Sequence, residues 1–164
     1  GILKGKDFTM LHCVTIYPTP LEALNLNAMG RLKAYSKSIG FSDHSSVAKT
    51  GTTASMAAIY KGATVVERHF SILPESETRD GPVSINGEQL AVLAAFAARS
   101  PAEQLLELEA RHPGWQACLG GNTHALSDAE LLNRAYYSGR FASPVTDATG
   151  RTRMVYNWEE VAVK

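Results

Sequence analysis

What most constrains this chain is an alternation. Three short apolar runs each end in polar residues and are followed by a segment with helix-forming chemistry. The first run, residues 8–15, stops at Tyr17-Pro18-Thr19-Pro20; proline continues neither a helix nor a central strand, so the run reads as a strand entering a loop. Thr19-Pro20-Leu21-Glu22 then offers a capping threonine, a proline suited to the first helical position and a glutamate that reaches back. Leu21, Leu24, Ala28, Leu32 and Tyr35 recur at helical spacing and predict an amphipathic helix to about Lys37. The cycle repeats with a strand over 39–44, a helix over about 46–61 and a stop at Gly62. A valine-rich strand over 63–70 follows, then a long charged loop over 71–84, a length at which loops are more often functional than incidental. A very apolar helix is expected over about 87–99.

Such an order implies parallel strands joined by right-handed crossovers, an α/β fold. An open doubly wound sheet and a closed barrel both fit the rhythm. After Ser100 the rhythm changes. Ser100-Pro101-Ala102-Glu103 opens a helix to about Arg111, an irregular stretch with Pro113, Gly114, Gly120 and Gly121 follows, and Ser127-Asp128-Ala129-Glu130 caps a short helix to about Tyr137. Residues 151–158 read as a final extended segment. Residues 1–100 and 101–164 are therefore expected to differ in organisation.

Composition narrows the function classes. The 164 residues are 45% hydrophobic with 16 basic and 16 acidic side chains, which gives no electrostatic reason to expect nucleic acid or an anionic membrane as partner. No apolar stretch approaches the roughly 20 residues of a membrane span, and residues 1–6 are not followed by the apolar region of a signal peptide. Cys13 and Cys118 are too few for a disulfide scaffold and lack metal-type spacing, so a reducing, cytoplasmic setting is expected.

Polar residues gather at the carboxyl ends of all three expected strands, where parallel α/β folds place their sites. Ser42 and His44 are two apart and so share a face, as do Glu67 and His69, while Asp43, Arg68 and Phe70 face the other way, toward helices. The same phase in the first strand groups Leu11, Cys13 and Thr15, with Tyr17 just beyond. Two imidazoles and a carboxylate in one space suit a divalent metal. A lone histidine at a strand end is ordinarily structural, but two in phase on neighbouring strands are hard to explain as packing. His12 is out of phase and expected to face a helix, and His112 and His124 are expected to be solvated. Cys13 has no partner base in sequence and reads as a small interior residue.

Leu11-His12-Cys13-Val14-Thr15-Ile16-Tyr17-Pro18-Thr19-Pro20, Gly40-Phe41-Ser42-Asp43-His44 and Glu67-Arg68-His69-Phe70 together resemble the sialic acid synthase family, which includes N-acetylneuraminate, legionaminate, pseudaminate and spore-coat polysaccharide synthases. The resemblance implies a (β/α)8 TIM barrel, with these three strands as its sixth to eighth. It also implies that the first five, which carry most phosphoenolpyruvate contacts in relatives, come from elsewhere, so that the chain is a fragment, a nicked product or a subunit. The activity implied is condensation of phosphoenolpyruvate with an N-acetylated amino sugar, in a homodimer. Position by position, His44 and His69 match the two protein ligands of Mn2+ or Mg2+, and Ser42 matches a phosphate contact. Thr15 stands where many relatives have an asparagine that touches phosphoenolpyruvate, keeping a hydroxyl with less reach. Tyr17 matches a sugar contact, and Glu67 a carboxylate near the metal with a proton-transfer role.

Relatives usually carry Gly-Pro-Asp after the eighth strand, whereas this chain has Arg79-Asp80-Gly81-Pro82; counted from His69 without gaps, Asp80 falls on the sugar-binding aspartate and Ser84 on a common serine. Many relatives end in an antifreeze-like domain that gives an arginine to the sugar's N-acetyl group. None is recognisable after Ser100, which leaves Arg134, Arg140, Arg151 and Arg153 as candidates. Three rival readings are weighed against this one: a phosphoenolpyruvate aldol-type synthase making deoxy-sugar acids, a metal-dependent hydrolase barrel, and an inactive or regulatory remnant.

Overall fold

The computed structural model describes residues 5–123, 125–137, 142–146 and 149–156. The chain forms two units, Gly1–Ala125 and Leu126–Lys164. In the first, β1 (Thr9–Cys13), β2 (Ser38–Asp43) and β3 (Val65–Arg68) make a parallel sheet in the order β1-β2-β3. The expected parallel α/β arrangement is therefore present. Its register pairs Cys13 with Ser42 and Ser42 with Glu67, so side chains that the period-two reading placed together do share a face.

The other face of the sheet carries the core. Ile39 and Phe41 of β2 are buried against Leu24, Leu26 and Met29 from the segment after β1, Met56 and Ala57 from α2 (Thr53–Tyr60), and Leu93 and Phe96 from α3 (Gly87–Ala97). A further helix, α4 (Pro101–Arg111), brings in Leu108 by packing against α2, and the turn at Trp115–Cys118 adds Trp115 and Cys118. Residues 101–125 thus lie in the first unit. Burial pushes the Cys118 thiol up to about 12, which makes it an inert apolar group.

The segment after β1 departs from expectation. Residues 21–37 do not form an α-helix but two 3₁₀ stretches, Leu21–Ala23 and Leu26–Ala34. Asn25 between them is left-handed at φ 50°. The expected threonine cap also fails to form, because the Thr19 hydroxyl donates to the Ile16 carbonyl at 2.5 Å instead. The single helix expected over 46–61 divides into α1 (Val47–Thr50) and α2, because Gly51 adopts φ 55°, a conformation that ends one helix before the next begins. Gly62, the expected stop, lies just past the C-cap Lys61 of α2, with φ 94°. The capping box of α4 forms as read: Ser100 accepts from the Glu103 backbone N–H, and the Glu103 carboxylate accepts from the Ser100 N–H. A second box, Asn86 with Gln89, starts α3.

The second unit consists of α5 (Asp128–Tyr137) and an antiparallel ribbon of β4 (Ala142–Thr146) and β5 (Thr152–Tyr156). Ser127 and Glu130 cap α5 as the sequence suggests, with the Glu130 carboxylate accepting from the Ser127 N–H at 3.0 Å. β5 matches the expected terminal extended segment. β4 was not expected, since it contains Pro144, which is tolerated in a two-stranded ribbon because each strand has an outer edge.

Candidate active site

At the carboxyl end of the sheet, on the face opposite the core, the three strand ends bring polar side chains together. The Ser42 hydroxyl donates to Glu67 Oε1 at 2.6 Å, which joins β2 to β3. His44 lies one residue past β2 and is nearly fully buried, and its ring centroid is 5.3 Å from that of His69, one residue past β3. Tyr17, in the loop after β1 and preceding a cis Tyr17–Pro18 peptide, packs its ring 4.0 Å from His44 and 6.0 Å from His69. Cys13 reaches the same space, its Sγ 3.9 Å from His44 Nδ1. Thr15, two residues beyond Cys13, is exposed.

The loop after β3 contributes from the other side. Asp80 Oδ2 is 3.4 Å from His69 Nδ1. Its placement is local: the 3₁₀ turn Gly81–Val83 follows at once, and the Ser84 hydroxyl donates to the Asp80 carbonyl at 2.7 Å. Ser42, His44, Glu67, His69, Tyr17 and Asp80 are thus neighbours, although they come from four separate stretches of chain.

The electrostatics favour neutral imidazole. Burial, and then the neighbouring His69, hold His44 below the ordinary value of 6.5, while a backbone hydrogen bond at Val14 and the Asp43 and Glu67 carboxylates favour the charged form. Neutral imidazole is the form that binds a metal. Among the described residues no three His, Cys, Asp or Glu side chains surround one point, so the donor set available is the His44–His69 pair with carboxylates close by. Such a pair fits a cation whose remaining positions are taken by water or substrate oxygens.

The other histidines separate clearly. His12 faces the opposite side of the sheet, as its phase requires: its Nε2 donates to the Leu24 carbonyl at 2.6 Å and its ring stacks on Phe41. His112 is not solvated, contrary to expectation. It is half-buried at the end of α4 with Nδ1 2.8 Å from the Thr53 hydroxyl, and burial, aided by Arg111, lowers its pKa. His124 and Arg140 lie outside the described residues.

Sequence reasoning missed the partnership behind the site. Asp43 and Arg68, read as facing the helices, form a buried ion pair there. Only the β2–β3 register, which sets the two residues opposite one another, reveals it. A groove of about 550 Å3 is also on this helix side, lined by Val66, Phe70, Leu90 and Leu93 among others, and its lining includes neither His44 nor His69.

A parallel α/β unit with two imidazoles and a carboxylate at its strand ends, and a second carboxylate from the loop after β3, defines a strand-end site of the kind such folds carry. Residues 3–104 match the NeuB family, and the chain belongs to that family. It is 37% identical over 91 residues to the N,N'-diacetyllegionaminic acid synthase of Campylobacter jejuni, a match covering 55% of this chain and 26% of the relative. It is 32% identical over 136 residues to the spore coat polysaccharide biosynthesis protein SpsE of Bacillus subtilis, covering 80% of this chain and 35% of that protein. Among solved structures, the N-acetylneuraminic acid synthetase of Leptospira borgpetersenii, determined in complex with citrate, aligns at TM-score 0.50 and 27% identity over 82% of this chain and 41% of that one. The chain spans about a quarter to a third of the length of these curated relatives.

Proposed function

We propose that these residues belong to a synthase that condenses phosphoenolpyruvate with an open-chain N-acetylated amino sugar, N-acetylmannosamine or a close relative, in surface polysaccharide biosynthesis. The observation that carries the reading is the convergence of Ser42, His44, Glu67 and His69 at adjacent strand ends in a NeuB-family chain. The names of the relatives support the substrate class. On this reading β1, β2 and β3 are the sixth, seventh and eighth strands of a (β/α)8 barrel. Residues 1–100 close that barrel, and 101–125 pack into the core of the same unit. The first five strands, from another part of the protein or another polypeptide, supply the other phosphoenolpyruvate contacts. The assembly is a cytoplasmic homodimer; among the described residues no helix is long and apolar enough to cross a membrane.

A Mn2+ or Mg2+ ion held by His44 and His69 would supply Lewis-acid polarisation of the acceptor aldehyde. The protein's own groups position two substrates and a water. C3 of phosphoenolpyruvate forms the new carbon–carbon bond to the aldehyde carbon, whose oxygen takes up a proton to become a hydroxyl. Water adds to the resulting cation at C2 with loss of a proton. The tetrahedral intermediate then breaks the bond from C2 to the phosphate oxygen as its C2 hydroxyl loses its proton and becomes the carbonyl, releasing phosphate. Ser42 turns its hydroxyl from Glu67 to the phosphate, and the exposed Thr15 would offer a second hydroxyl. Glu67, once released, takes the proton of the adding water. Tyr17 and Asp80 contact the sugar, Asp80 from the loop after β3.

The test is phosphate release by the full-length polypeptide with Mn2+, phosphoenolpyruvate and a panel of acceptors. Release that requires an N-acetylated sugar and a metal, and that disappears in His44→Ala and His69→Ala, supports the proposal. Preference for sugar phosphates without an N-acetyl group would move the assignment to the deoxy-sugar-acid synthases. Undiminished turnover after metal removal would sink it.

A further inference from the structure

Directly behind the histidines, on the core side of the sheet, lies a polar cluster that the proposed chemistry does not use. Asp43 is fully buried and the Arg68 side chain is 3% exposed. Arg68 distributes its guanidinium over three elements. Nη1 pairs with Asp43 Oδ2 and donates to the Ser45 hydroxyl at 3.1 Å, Nη2 donates to the Ser45 carbonyl at 2.7 Å, and Nε donates to the Val83 carbonyl at 3.2 Å. Asp43 is satisfied in turn by the Ser45 N–H at 2.8 Å and the Ser55 hydroxyl of α2 at 2.5 Å.

Each partner is next to a residue of the site. Asp43 immediately precedes His44, and Arg68 lies between Glu67 and His69. Val83 belongs to the turn that immediately follows Asp80. Ser45 bridges Thr19, whose N–H donates to the His44 carbonyl at 2.8 Å, two residues after Tyr17. One guanidinium therefore ties the strand ends and the β3 loop together from the side away from substrate. Stability alone is a poor reason for it, since a buried ion pair adds little net stability over apolar residues of the same volume and its best-attested use is to fix one arrangement.

We propose that Asp43 and Arg68 are positioning residues: their ion pair sets the separation of His44 from His69 and holds the Asp80 turn beside them. The inference rests on the functional reading above, in that it takes those side chains to act on metal and acceptor. Lysine cannot replace arginine here, because one ammonium cannot span Asp43, Ser45 and Val83 at once.

The experiment measures Mn2+ binding by electron paramagnetic resonance, with kcat and the acceptor KM, on the full-length polypeptide and its Arg68→Lys variant, at a temperature where circular dichroism shows both folded. The expected result is Mn2+ binding weakened about 10-fold, in the range seen for supporting residues of metal sites, with a raised acceptor KM. Phe96→Leu, a core change at a residue that makes none of the cluster's hydrogen bonds, is expected to lower Tm while leaving Mn2+ binding at the wild-type value. A folded Arg68→Lys protein with wild-type Mn2+ affinity and KM would overturn the inference, whatever its Tm. If Arg68→Lys does not fold, Asp43→Asn decides, since it removes the charge of the pair with almost no change of shape: weakened Mn2+ affinity supports the inference, and wild-type affinity overturns it. A wild-type protein that neither binds Mn2+ nor releases phosphate would instead overturn the functional reading, and the inference with it.

Discussion

His44 sits where burial and charge conflict. Its environment holds the imidazole below 6.5, so between that value and the lower folded one the unfolded chain carries more protons than the folded chain. The sign follows: stability is full above about 6.5 and falls as pH drops through the window toward the folded pKa. His112 is shifted the same way and contributes in parallel. Denaturant titrations from pH 7.5 down to pH 5 should show this decline, and His44→Gln and His112→Gln should each flatten it; an unchanged slope in both variants would refute the assignment. Glu67 gives a functional prediction at the same scale. Removing its carboxylate takes away the acceptor of the Ser42 hydroxyl and the proposed proton acceptor, so Glu67→Ala is expected to lower kcat by roughly 100-fold or more. A kcat within a few-fold of wild type would show that its role is structural.

At the scale of the element, β2 is the strand on which the site depends, because it pairs with both neighbours. Gly40 lies opposite Leu11 and Val65, and a side chain there would run into the Val65 carbonyl and the Leu11 side chain. Gly40→Ala should force β2 and β3 apart and destabilise the fold by about 1–3 kcal/mol, measurable as a lower denaturant midpoint. Asn86→Ala removes one half of the α3 capping box at a cost of about 1 kcal/mol, or roughly 2–4 °C in Tm, without touching the site. The strands and their faces were legible in sequence because period two leaves little choice once polar residues mark the ends: Ser42 with His44, Glu67 with His69, and Asp43 and Arg68 opposite them all fall where the alternation puts them. The segment after β1 was misread because Leu21/Leu24 and Leu26/Met29/Leu32 are spaced by three, which suits 3.0 residues per turn as well as 3.6. That repeated spacing, with Asn25 between the two sets, was the signal for 3₁₀ geometry. The contacts of Arg68 were not legible, since they depend on register and on a turn 15 residues away.

At the scale of the whole molecule, the first unit leaves surface that asks for a neighbour. Among the described residues no strand pairs with the outer edge of β1 or of β3. Beside β3 the apolar groove stays open, and α3, apolar nearly all round, buries Leu93 and Phe96 while Leu90 and Val92 are about half exposed. Phe70 and Ile72 extend that surface at 52% and 88% exposure. Unpaired strand edges beside exposed apolar side chains recruit other chains. A barrel removes both problems at once, because closure pairs the edges and the next helix covers the groove. The 164-residue chain on its own should therefore self-associate with rising concentration in sedimentation velocity and enhance the fluorescence of a hydrophobic dye. Both signals should fall when further parallel β/α units complete the sheet, and Val92→Lys should weaken the association without lowering helix content. A chain that stays monomeric and dye-silent at high concentration would mean that this surface is self-sufficient. The strands would then have no need of five more, and the closed-barrel reading would lose its main physical support.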